Sequence, residues 1–311
     1  MPSRLEIVSL NVAPGKGAAK KPVPRAEFDA SGLVGDAHAG LWHRQVSLLG
    51  VETIARFNAE HGTNIAPGEF SENITVHGAG LGGAAVLDRL RFGAVELEVS
   101  QVGKDCHGGD CAVFRRVGVC AMPKEGVFAR VIQGGTLRPG DSGEHLPRPL
   151  RVHIITLSDR AARGQSPDRS GPRLRELLEA FFAGKRWHPD INSAVLPDDA
   201  ARLREALASA IKGRADLIFT TGGTGVGPRD ITPETVLGVA EKQVPGIMEH
   251  IRAKFGADKP AALLSRSVAA TAGTAQIYAL PGSVRAVEEY MGEILKTVEH
   301  MIYMLHALDV H

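Results

Sequence analysis

Residues 215–240 read ADLIFTTGGTGVGPRDITPETVLGVA. The first seven form an apolar, β-branched run that reads as a buried strand. Residues 232–240 read as a helix, with Thr232 as its N-cap and Pro233 at the first helical position. Between them, glycines at 222, 223, 225 and 227 remove the Cβ atoms that would block close approach, so backbone amides and the helix start can surround an anion. A phosphate group is the expected guest. The pattern is not a Walker loop, because Pro228 rather than lysine follows Gly227, and it lacks the dinucleotide spacing.

The surroundings define the fold around this turn. RVHIITLS at 151–158 reads as a strand, and Ser170 is expected to cap a helix that repeats Leu174, Leu177, Leu178, Phe181 and Phe182. INSAVLP follows as a strand, then a helix over about 199–212 with Leu203, Leu207 and Ile211 on one face. After AQIYALPG, one long helix is expected from Ser283 to about Leu305, with a seam of Val287, Met291, Ile294, Val298 and Met301. Strands alternating with helices point to a three-layer α/β/α domain with a mainly parallel sheet. Ligands bind such sheets at the C-terminal ends of the strands, where the glycine turn sits.

Asp230 refines that expectation. A carboxylate beside phosphate oxygens is repulsive unless a hard divalent cation lies between them, and Mg²⁺ meets the requirement. Asp198 and Asp199 end the preceding strand on the same edge, where they could complete the metal shell. Arg229 and Arg266 could neutralise phosphate charge. The plain alternatives are helix capping for Asp198 or Asp199, a turn role for Asp230, and solvated surface for the two arginines.

Before about residue 145 the texture differs. RLEIVSLNV, QVSLLG, ENITV and AVELEVSQV are short β-rich stretches among Gly, Pro and Asp clusters, so a mostly-β, barrel-like domain is expected over 1–145, a linker over 146–150 and the α/β domain over 151–311. Two domains also suit 311 residues, 43% of them apolar. HGAGLGG at 77–83 matches a dinucleotide-type glycine spacing, but without a surrounding βαβ unit it reads as a loop.

Lys plus Arg number 36 against 35 acidic residues, so no basic field suggests nucleic acid. No apolar run approaches a membrane span, and no secretory pattern opens the chain, so the expected location is cytoplasmic. Cys106, Cys111 and Cys120 are too few and too irregularly spaced for a disulfide framework or an ordinary zinc module. Lys104 and His107 beside Cys106 would favour a reactive thiolate suited to sulfur or a soft metal.

Five ordered motifs in the second half, IITLSDRAARGQSPDRSGPRL, VLPDD, TTGGTGVGPRDITPE, LLSRSVAATAG and LPGS, resemble the molybdopterin adenylyltransferase family, which includes the MogA/MoaB type and the gephyrin G domain. The resemblance implies Mg²⁺-dependent transfer from ATP: the terminal phosphate of molybdopterin attacks the α-phosphorus and pyrophosphate leaves. It implies catalytic and metal-binding roles for Asp198 and Asp230. It also implies a binding pocket that draws on Ser158, Asp159, Thr221, Gly222, Gly223, Thr224, Gly225, Gly227, Arg229, Ser265, Arg266, Pro281, Gly282 and Ser283. Homotrimers formed through this domain, and hand-over of product to a molybdenum-insertion protein, belong to the same expectation.

In the first half GLVGDAHAG, HRQVSLL, EFSENITV and MPKEGVFARVIQGG resemble the MOSC domain of molybdenum cofactor sulfurases. That resemblance implies handling of molybdenum cofactor, with a cysteine carrying sulfur or binding the metal. Cys106 and Cys111 both suit the position, Cys106 being preferred for its Lys104 and His107 neighbours. Two other readings use the same residues: a carrier that binds cofactor without chemistry, and a pyrophosphatase acting on ADP-ribose.

Overall fold

The computed structural model describes residues 3–15, 19–104 and 112–308, and the chain divides into two compact units, Met1–Arg148 and Pro149–His311. In the first unit the strands are β1 (Ser3–Val12), β2 (Lys21–Val23), β3 (Ala26–Asp29), β4 (Gly32–Leu33), β5 (Val46–Gly50), β6 (Ile74–His77), β7 (Arg89–Phe92), β8 (Val95–Val102), β9 (Val127–Gln133), β10 (Gly135–Leu137) and β11 (Ser142–Leu146). The main sheet runs β11-β7-β8-β9-β5-β6-β1-β2, and an additional pairing of β11 with β1 closes it into a barrel. Period-two burial explains the register: Leu5 and Ile7 of β1 point inward while Arg4, Glu6 and Val8 point out. Leu48, Ile74, Leu90, Leu97, Val99 and Val127 fill the interior. A second apolar cluster joins helix α1 (Val51–His61) to α2 (Ala112–Val117) and α3 (Met122–Glu125) through Phe57, Phe70, Val113 and Met122. Gly78 and Gly80 lie in a loop that follows β6 and leads through the short 3-10 turn Leu81–Gly83 to β7, not into the helix that a dinucleotide site places after its glycines.

The second unit contains β12 (Leu150–Leu157), α4 (Asp159–Ala162), α5 (Ser170–Phe182), β13 (Pro189–Leu196), α6 (Ala200–Lys212), β14 (Leu217–Thr221) and α7 (Thr232–Leu237). It continues with β15 (Lys242–Gln243), α8 (Pro245–Gly256), β16 (Val268–Ala272), β17 (Ala275–Leu280), α9 (Val284–Ile294) and α10 (Val298–Leu305). The sheet order is β13-β12-β14-β17-β16-β15. It is mixed, with three parallel pairings and two antiparallel ones where a mainly parallel sheet is expected. β13, β12, β14 and β17 are parallel, whereas β16 pairs antiparallel with both β17 and β15. The cause is local: only Gly273 and Thr274 separate β16 from β17, and so short a connection joins antiparallel neighbours only.

Helices α6 and α7 share a core with Ile155, Leu157, Ile218, Ile277 and Ala279. The alternate residues face the other way, where Phe219 stacks on Tyr278 and Gln276 donates to the Val298 carbonyl of α10. The long C-terminal helix is two helices, because the chain turns at Leu295–Thr297 and the Thr297 hydroxyl donates to the Ile294 carbonyl. Their seam stays largely buried through Val287, Met291, Ile294 and Val298. Among the described residues no helix is long and apolar enough to cross a membrane.

Candidate active site

β12 leads to α5, which packs with α9, while neighbouring β14 leads to α7 on the core side shared with α6. The chain therefore leaves adjacent strand ends toward different helix pairs, which opens a crevice there. A cleft of about 250 Å³ lies at this point, lined by Leu157, Ser158, Asp159, Arg160, Asp198, Gly223, Arg229 and Asp230. Three consecutive strand ends thus supply one site. Arg160 lines it without having been singled out in the sequence, since an arginine in a short polar turn carries no distinguishing pattern.

The adjacent acids after β13 separate. Asp199 Oδ1 accepts from the Ala201 and Arg202 amides at 2.9 and 3.0 Å and caps α6, and the Arg202 bond holds its carboxyl below the usual range. Asp198 faces the cleft instead. Its Oδ2 accepts from the Asp159 amide at 3.1 Å, and its own amide donates to Asp159 Oδ1 at 3.3 Å. Arg229 pairs with the other Asp159 oxygen. Ser158 caps α4 by accepting from the Ala161 amide at 3.2 Å.

The glycine turn fits around its own neighbours. Gly222 has φ +105°, and a Cβ there would lie 2.3 Å from the Leu157 carbonyl oxygen. Gly223 has φ +63°, with the Thr232 hydroxyl 2.6 Å from the Cβ position. Added Cβ atoms at Gly225 and Gly227 would meet Asp230 Oδ2 at 2.7 and 3.0 Å, and the Gly227 amide donates to that oxygen at 2.8 Å. The glycines thus first admit protein groups, Asp230 above all. Thr232, expected as the helix cap, instead donates its hydroxyl to the Gly222 carbonyl at 2.8 Å and its amide to the Gly223 carbonyl at 3.0 Å, clamping the turn.

The remaining expected residues frame this turn. Thr221 donates to the Pro281 carbonyl at 2.9 Å, the Gly222 amide to the Leu280 carbonyl at 3.0 Å, and Gly282 packs on Gly222. Ser283 caps α9 through the Ala286 amide. Arg266, expected to meet phosphate, staples the loop. Its amide reaches the buried Thr224's carbonyl at 2.9 Å, its Nε the Gly225 carbonyl at 2.6 Å and its Nη2 the Asp230 carbonyl at 2.7 Å, and its Nη1 pairs with Glu234. Ser265 lies beside it, bonded to Ser267. Asp168, which the sequence reading does not single out, accepts from Thr156 at 2.8 Å and from the Gly171 amide at 3.1 Å, so it fastens the start of α5 in place of the expected Ser170 cap. The short Asp-x-x-Gly spacing in SPDRSG is the signal that could have revealed it.

The donor set suits a hard cation. Mg²⁺ takes one or two carboxylates and completes its shell with water and phosphate oxygens. Asp198 and Asp230 line one open cleft, and in that cleft no three such side chains among the described residues close within 4.8 Å, so the arrangement is not a closed all-protein cage.

In the first unit Cys106 and Cys111, with His107, lie outside the described residues. Cys120 is half-buried. The resembling motifs there hold a buried polar network. Lys20 Nζ donates to both Asp36 oxygens at 2.8 Å, and the Ala13 and His38 amides donate to the same carboxylate. Burial opposes ionisation of Asp36, yet His38, Lys20 and Ala13 together hold its carboxyl far below the usual range. Glu72 Oε1 accepts from the Gly68 amide and the Thr75 hydroxyl, whereas Oε2 is buried with no partner among the described residues; burial pushes this carboxyl up.

Residues 153–300 match the family model described as a probable molybdopterin binding domain, and residues 35–144 match the MOSC domain. Similarity extends to molybdenum cofactor biosynthesis protein B of Bacillus cereus, 34% identical over 51% of this chain and 93% of that protein. The molybdopterin adenylyltransferase of Escherichia coli is 33% identical, over 45% of this chain and 71% of its own length. Gephyrin of Dictyostelium discoideum is 32% identical over 50% of this chain, which spans only 22% of that longer protein. The chain belongs to the MogA/MoaB and gephyrin family of molybdenum cofactor biosynthesis proteins through its second unit, and it carries a MOSC domain in its first.

Proposed function

We propose that the second unit adenylylates molybdopterin from ATP in the presence of Mg²⁺, and that the MOSC domain handles molybdenum cofactor or its sulfur. The observation that carries this reading is the meeting of Asp198, Asp230, Ser158–Asp159 and the glycine turn at one cleft formed by three strand ends. Asp198 and Asp230 would hold the cation. Bound there, Mg²⁺ would offset the repulsion between triphosphate oxygens and these carboxylates. The reaction needs no protein nucleophile, because the molybdopterin phosphate attacks the α-phosphorus and pyrophosphate carries away the displaced electron pair. The chain's task is positioning: Thr232 and Arg266 fix the turn, and the Gly227 amide orients Asp230. Trimer formation and hand-over to a molybdenum-insertion protein are part of the same reading.

The test is incubation with molybdopterin, Mg²⁺ and ATP. Asp230→Asn is expected to lower adenylylated product by about 10²- to 10³-fold, as loss of one key electrostatic group does. An unchanged rate would overturn the metal assignment. ATP consumption that does not depend on molybdopterin would favour a pyrophosphatase, and binding without pyrophosphate release would favour a carrier.

A further inference from the structure

Asp159 and Asp198 are locked together by two reciprocal backbone bonds, at 3.1 and 3.3 Å, so their carboxylates are held near one another whatever else the cleft contains. Like charges so placed require a positive counter-charge. In this structure Arg229 supplies it, pairing with the Asp159 oxygen that Asp198 does not use. Arg229 is otherwise solvent-exposed, at 64%, whereas Asp159 is 20% exposed. An ion pair with so exposed a partner is weak and easily exchanged. Arg229 also immediately precedes Asp230, whose carboxylate lines the same cleft.

We propose that Arg229 and Asp159 make cation binding and triphosphate binding mutually dependent, with Asp159 reaching the cation held by Asp198 and Asp230 through its water shell. In that pair Arg229 stands in for the cation beside Asp159. An arriving triphosphate offers the guanidinium a stronger, bidentate partner and draws it off. The released Asp159 oxygen then accepts from the water shell of the metal that Asp198 and Asp230 hold. The site would thereby discriminate against cation alone and favour the cation–triphosphate pair, and the coupling works equally in both directions. This inference rests on the Mg·ATP reading of the cleft.

The experiment measures Mn²⁺ bound to the full chain, read from the electron paramagnetic resonance signal of the free ion, with and without α,β-methylene ATP, after subtracting the Mn²⁺ that the analogue holds in protein-free solution. For the wild type the analogue is expected to raise Mn²⁺ affinity. Arg229→Gln is expected to bind Mn²⁺ two- to fivefold more tightly without nucleotide, the scale of one exposed ion pair. Its response to the analogue should shrink. Asp159→Asn added to Arg229→Gln should remove the gain. Because Arg229 is exposed, its replacement should leave the melting temperature unchanged. If Arg229→Gln and the wild type bind Mn²⁺ equally without nucleotide while the analogue still promotes binding, the coupling is wrong and the Mg·ATP reading survives. If the analogue promotes no Mn²⁺ binding to the wild type, both fall.

Discussion

Asp198 and Asp199 are neighbours in sequence whose side chains do opposite things: one faces the cleft and the other caps α6. Asp199→Ala should therefore lower the melting temperature of the second unit by a few degrees without changing turnover. Comparable loss of turnover in Asp198→Asn and Asp199→Ala would contradict that division. Glu72 allows a test in the first unit. Its carboxyl is pushed up by burial, so the folded state holds a proton that the unfolded chain has already lost once pH exceeds the ordinary glutamate value of about 4.3. Stability should fall as pH rises from about 4 through the raised folded value. Glu72→Gln is expected to match the wild type near pH 4 and to exceed it at pH 7 in chemical denaturation. A wild-type advantage at pH 7 would show that Glu72 is stabilising as an anion.

At the scale of elements, the turn after β14 is held at several points, and its glycines are not equivalent. Gly222→Ala would place Cβ against backbone at positive φ, with strain of about 1–3 kcal/mol before any clash is counted. It should destabilise the unit globally. Gly227→Ala meets only the tip of the Asp230 side chain, so it should leave stability near wild type and raise the Mg²⁺ concentration needed for activity. Equal melting losses in both variants would contradict this contrast. Arg266→Lys removes the planar fork that reaches the Gly225 and Asp230 carbonyls together. A higher Mg²⁺ requirement with little change in melting temperature is expected there too.

For the whole molecule, every residue of the cleft and its supports lies within Pro149–His311, together with a complete sheet and core. That unit expressed alone should fold and adenylylate at the rate of the intact chain; failure to do so would mean the first unit completes the site. The fusion should matter instead for transfer. A covalent connection raises the local concentration of one unit near the other, so separated units mixed at low concentration should process cofactor more slowly than the intact chain. Equal rates would remove channelling from the reading.

Much of this was legible in the chain itself. Apolar, β-branched runs marked β12 and β14, the latter buried at every position, and helical repeats marked α5 and α6, because burial on one helix face imposes that periodicity whatever the partner. The glycine turn and the acids beside it marked the strand-end cleft, since few other arrangements need so little side chain next to so much charge. Tertiary structure alone decided what each group touches. The antiparallel β16–β17 pair, the break at Leu295–Thr297, Thr232 as a clamp, Arg266 as a staple and Asp230 inside the space its glycines vacate all depend on partners distant in sequence or on local backbone geometry. A hydrogen-bonding side chain has several possible partners of similar energy, and only the packed fold selects among them.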